Sequence, residues 1–126
     1  MIQLGLKGHK EYTVSPDDTA QKVGSGTLEV LATPRLIAFI EETAWQSIQP
    51  FLEQGVGSVG TRIDIQHLSP TPVGMKVNCL TEVIKINGRE IIFKCECVDE
   101  KSKIAEGIHH RFLVQSEKFQ AKANAK

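Results

Sequence analysis

The sequence predicts an α+β domain in which an antiparallel sheet of about five to six strands wraps around one long helix. Three observations carry this reading. Residues 34–54 hold one long stretch of helical apolar period, and four strand-like runs follow with no second helix to cross between them. The two longest runs meet at Asn87-Gly88, a dipeptide suited to the positive φ of a tight hairpin. Sequential strands without crossover helices pair antiparallel, which leaves the helix to cover the sheet.

Taken in order, residues 10–14 and 27–31 read as short strands separated by polar, Gly-containing sequence. The helix start is marked by Thr33 as N-cap and Pro34 at the first helical position. At about 100° per residue, with Ile37 as origin, Ala44, Ile48, Phe51 and Leu52 share one stripe, with Ile40 at its edge. Pro50 falls opposite and marks a kink or break. Residues 58–69, rich in Val, Ile and Thr, form the next strand and end at the turn Pro70-Thr71-Pro72-Val73-Gly74. Residues 75–86 and 89–99 alternate in polarity and make the hairpin. After the charged turn Asp99-Glu100-Lys101-Ser102-Lys103, residues 104–115 form the last strand. Residues 121–126 have little to bury and are expected to be a disordered tail on a single domain spanning 1–126. One sheet around one apolar helix is the hotdog arrangement, and its open sheet edges are commonly closed by a second copy.

Composition narrows the functional classes. A chain of 126 residues can bury a core without disulfides or metal. Fifteen basic against fifteen acidic residues give no net charge, which argues against a nucleic-acid partner. No apolar run approaches the ~20 residues of a membrane span. The start, Met1-Ile2-Gln3-Leu4-Gly5, lacks the basic and apolar parts of a secretion signal, so a cytoplasmic protein is expected. Cys79, Cys95 and Cys97 are odd in number and have no CxxC spacing, as suits reduced thiols facing a core. Together with the histidines they match no common ligand pattern, and no metal is expected.

Three residues invite a chemical reading. Glu41 lies at about 40° from Ile37, inside the apolar stripe, while Glu42 at about 140° faces away. A carboxylate among apolar side chains is costly unless paired, and its raised pKa suits general acid or base work; a structural salt bridge is the alternative. Thr33 stands at a helix N-terminus, where unsatisfied N–H groups favour a developing oxyanion, and eight residues separate it from Glu41 on the same side of the helix. His67 ends a strand beside the Pro-Thr-Pro-Val-Gly loop, a usual place for functional groups. Of His109 and His110, alternation allows only one to face inward.

With these residues in hand, the chain resembles the fluoroacetyl-CoA thioesterase-like family of hotdog proteins over roughly residues 24–119. The resemblance rests on Ala32-Thr33 before a helix with Glu41-Glu42-Thr43-Ala44, on Gly57-Ser58-Val59-Gly60-Thr61, and on His67-Leu68-Ser69-Pro70-Thr71-Pro72-Val73-Gly74. It continues through Ala105-Glu106-Gly107-Ile108-His109-His110-Arg111 and Glu117-Lys118-Phe119. It implies hydrolysis of a small acyl-CoA thioester, with catalytic residues Thr33, Glu41 and His67 and with the Gly60 backbone lying against the thioester. It also implies a homodimer with the site formed between subunits, and no cofactor beyond the coenzyme A of the substrate. Glu41 would attack the carbonyl or act as base for water, with Thr33 and His67 orienting it, stabilising the oxyanion or moving protons. Arg35, Lys76, Lys85 and Arg89 are candidate contacts for the CoA phosphates. Gly24-Ser25-Gly26-Thr27 departs from the family, because the fluoroacetate-specialised form has phenylalanines there; a different small acyl group is expected. The alternatives are a non-catalytic hotdog module binding an acyl-CoA or acyl carrier ligand, and a hydratase.

Overall fold

A computed structural model describes residues 1–126. Five strands, β1 (Lys7–Thr13), β2 (Val56–His67), β3 (Lys76–Asn87), β4 (Glu90–Asp99) and β5 (Lys103–Gln115), form one antiparallel sheet in the order β1-β3-β4-β5-β2. Strand alternation sends Val77, Cys79 and Val83 of β3 and Ile91, Phe93, Cys95 and Cys97 of β4 to the inner face. There they meet Leu36, Phe39, Ile40, Ala44 and Ile48 of the long helix α2 (Thr33–Ile48), closing one apolar core. All three cysteines are buried free thiols within it, and Cys79 and Cys97 lie side by side with sulfurs 3.1 Å apart.

Several boundaries differ from the sequence reading, each for a local reason. Residues 27–31 form no strand; they run between Thr19 and Pro72, touching each through an isolated bridge at Leu31 and Val30. A short helix α1 (Ala20–Val23) precedes them, capped by the Thr19 hydroxyl accepting from the Lys22 N–H and stopped by Gly24 at φ +87°. Helix α2 ends at Ile48 and passes into a 3₁₀ turn, Gln49–Phe51, so the break falls at Pro50 as its ring requires. Ala32, not Thr33, is the N-cap, and Thr33 is the first helical residue. In the hairpin Asn87 pairs with Glu90, so Gly88 and Arg89 form the turn, with Gly88 at φ +65°. The C-terminal segment forms a helix α3 (Ser116–Asn124), exposed throughout.

The rotation of α2 is the difference that matters most for the site. Its buried residues are Leu36, Phe39, Ile40, Thr43, Ala44 and Ile48, an arc centred about 75° from Ile37. Gly8 of β1 allows this, because a Cβ there would stand 2.7 Å from the Ser47 Cβ and 3.1 Å from the Thr43 carbonyl oxygen. The helix therefore comes in close over β1 and β3, and its Glu41 side turns out of the core toward β2.

Candidate active site

At the start of α2, the Thr33 hydroxyl and Nδ1 of His67 share a hydrogen bond of 2.7 Å. Because Ala32 takes the cap position, this hydroxyl makes no capping bond. His67 is the last residue of β2, and its backbone is led away by Leu68, whose N–H donates to the Ile104 carbonyl. Nε2 of His67 is shut from solvent and makes no hydrogen bond within the chain. Burial pulls the His67 pKa below its ordinary value, against an opposing pull from the Ser69 backbone, so the ring is neutral at pH 7. The pair opens into a cavity of about 320 Å³ bounded by Ser25, Val30, Leu31 and Pro70. A hydroxyl bonded to a neutral imidazole nitrogen is the arrangement by which an alcohol is made nucleophilic or a proton is relayed.

Glu41 does not sit buried in the apolar stripe, as the helical count expected. Its side chain is 41% exposed, and Glu42, expected to face away, is equally so at 40%. Glu42 is the acid with the structural role: it accepts from Tyr12 Oη at 2.7 Å and Lys10 Nζ at 2.9 Å, and these two bonds hold its carboxyl below the usual range. Glu41 makes no hydrogen bond and lies against Gly60, where a Cβ would come 2.7 Å from its Oε2. Arg111 Nη1 stands 3.9 Å from the same oxygen. Beside Gly60 the β2–β5 register slips by one residue at Thr61, a bulge of the kind that re-aims side chains near functional sites. Within one chain, therefore, Thr33 and His67 are joined, while Glu41 belongs to a second polar cluster with Gly60, Arg111 and His109.

Arg111 and His109 were not singled out as functional from the sequence. The available signal was their i, i+2 spacing on β5, which places a cation and an imidazole on the core-facing side of one strand. The four candidate phosphate contacts are not brought together. Arg35 pairs with Asp18 at 2.9 Å beside the helix start, and Lys76 lies 3.9 Å from Glu11 at the start of β3. Lys85 and Arg89 sit at the far end of that hairpin. Lys10 is likewise paired with Glu42, and Lys103 with Glu106 and Glu96. No group of three or more His, Cys, Asp or Glu side chains stands together as metal ligands, and no helix is long and apolar enough to cross a membrane. The largest cavity, about 590 Å³ between Ile2, Phe51, Ile91 and Leu113, contains neither reactive cluster.

Comparison with known proteins gives a consistent answer. A family model described as fluoroacetyl-CoA-specific thioesterase matches residues 14–117. A fluoroacetyl-CoA thioesterase from Streptantibioticus cattleyicolor is 34% identical over 131 residues, covering 99% of this chain and 94% of its own. The solved structure of the fluoroacetyl-CoA thioesterase FlK superposes with a TM-score of 0.96 at 28% identity, covering 100% of this chain and 98% of that one. A hot-dog-like protein from Thermanaerovibrio acidaminovorans, at 20% identity and a TM-score of 0.88 over 97% of this chain and 90% of its own, shares the fold. Sequence match and fold agree, and the chain belongs to the fluoroacetyl-CoA-specific thioesterase family.

Proposed function

We propose that the protein is a homodimeric thioesterase that hydrolyses a small acyl-CoA, with Thr33, His67 and Glu41 as its catalytic residues. The observation that carries this reading is the 2.7 Å bond between the Thr33 hydroxyl and Nδ1 of His67 at the mouth of a cavity of about 320 Å³. Glu41 takes a proton from water as its oxygen adds to the thioester carbonyl, and the Thr33–His67 pair relays that proton to the departing thiolate. Glu41 supplies the carboxylate that activates water. Because it contacts neither Thr33 nor His67 of its own chain, Glu41 of a second copy is assigned to each Thr33–His67 pair. The Gly60 backbone, with no Cβ in the way, lies against the thioester.

The acyl group is not fluoroacetyl in this reading. Gly24-Ser25-Gly26-Thr27 carries no aromatic ring, and Ser25 alone of these borders the cavity, leaving it wider and more polar than a phenylalanine lid would. The three free thiols support a reducing, cytoplasmic setting. The test is thiol release from a panel of short acyl-CoA esters. Turnover that falls at least 100-fold in Glu41→Gln and His67→Ala, at unchanged thermal stability, is the expected result. Ligand binding without thiol release would make the protein a binding module, and loss of an enoyl chromophore without thiol release would make it a hydratase.

A further inference from the structure

His109 and Arg111 stand two residues apart on the inner face of β5, only 1% and 6% exposed. The guanidinium is held at three points. Nε donates to the Ser58 hydroxyl at 2.8 Å, Nη2 to the Ser58 carbonyl at 2.9 Å, and Nη1 to Nε2 of His109 at 3.2 Å. Nη1 also faces Glu41 Oε2 across 3.9 Å, too far for a hydrogen bond.

The partners fix the protonation of His109. The Arg62 carbonyl, 2.8 Å from Nδ1, can only accept, so Nδ1 carries the hydrogen. The guanidinium can only donate, so Nε2 offers a lone pair, and the ring is the neutral Nδ1–H tautomer. A proton on Nε2 would remove the acceptor and set a second cation against Arg111. The charged or titratable groups around this ring are Arg111, Glu41 and His110, while β4 presents only Phe93, its ring centroid 6.1 Å away.

We propose that His109 is a positioning residue for the Glu41 carboxylate, acting through Arg111. Glu41 has no hydrogen bond of its own to hold it, so its seat against Gly60 depends on where the guanidinium is pinned. Released from His109, Nη1 of Arg111 is free to close the 3.9 Å gap and donate to Glu41 Oε2 while Nε and Nη2 stay on Ser58, which would partly neutralise the carboxylate and draw it away from an ester. The latch to His109 and Ser58 keeps cation and acid close enough to orient one another and too far apart to cancel.

This inference rests on Glu41 acting in the thioesterase reaction, and the experiment separates the two. Steady-state kinetics on a short acyl-CoA ester would compare His109→Leu, which fills the space without an acceptor, with His109→Gln, whose amide can donate to Arg62 and accept from Arg111. The expected result is a fall in kcat of about 10- to 100-fold for Leu with KM within about twofold, and recovery of most of it in Gln. His109→Leu should cost nothing further in an Arg111→Gln background, since it acts through that residue. A folded Leu variant with full kcat, or losses that multiply in the double variant, would overturn the proposal. Turnover unaffected by Glu41→Gln would instead remove the reading beneath it. Should the Leu variant fail to fold, nitrogen NMR of the wild-type protein decides: a neutral ring protonated on Nδ1 is required, and a proton on Nε2 refutes the latch.

Discussion

His67 and His109 are both kept neutral by burial, His67 against the pull of the Ser69 backbone and His109 against its bond to the Arg62 carbonyl, with Arg111 adding to the effect. Their folded pKa values therefore lie below the unfolded value of 6.5. In the window between folded and unfolded values the unfolded chain binds more protons, so stability is complete above pH 6.5 and falls as the pH drops below it. Urea midpoints measured from pH 8 to pH 5 should be flat down to about 6.5 and then decline, with a shallower decline in His109→Gln. At this scale the sequence placed Thr33 at a helix start and His67 at a strand end, because both can be located by their flanking residues. Glu41 stands out in the sequence for a reason the structure does not uphold: helical period places residues relative to each other but leaves the rotation of the helix against the sheet undetermined. That rotation was set by Gly8, distant in sequence, whose missing Cβ admits the helix backbone.

Among the elements, β2 and β5 hold both polar clusters in register, and Gly107 is their tightest point. A Cβ at Gly107 would overlap the Asp64 carbonyl across the pair, a contact no rotamer change relieves because the obstacle is backbone. Gly107→Ala should cost about 2–3 kcal/mol, read as a lowered urea midpoint. The four strands after the helix were legible because their apolar alternation and punctuating turns are local signals. The segment 27–31 was not, since it bends at residues 27–29 and only Val30 and Leu31 are held, by isolated bridges to Pro72 and Thr19 that never join a ladder. The short helix α1 had a readable signature in Thr19 and Gly24, but four residues carry too little period to stand out.

On the scale of the whole molecule, β1 and β2 are the sheet edges, and β2 carries Gly60 and His67 along an edge with no neighbour on its far side. In the proposed homodimer each active site takes Thr33 and His67 from one copy and Glu41 from the other. Thr33→Ala and Glu41→Ala should each be inactive alone, yet a mixture allowed to exchange subunits should regain about a quarter of wild-type turnover. Half of the randomly paired dimers are mixed, and each of these has one intact site of two. Mixed dimers seen by native mass spectrometry without recovered turnover would mean that each chain carries its own complete site. Sequence pattern reached the hotdog architecture because one helix and sequential strands leave few ways to cover an apolar sheet. It gave no view of the division between the two clusters, which depends on contacts across β2, β5 and α2.

Lys10, Arg35 and Lys103 each spend their charge on a neighbouring carboxylate, and the chain as a whole is balanced at fifteen to fifteen. With no net charge, the chain offers a polyanion such as coenzyme A no net long-range attraction. Its capture is left to unguided collision and to short-range fit, so the encounter rate should be nearly indifferent to ionic strength.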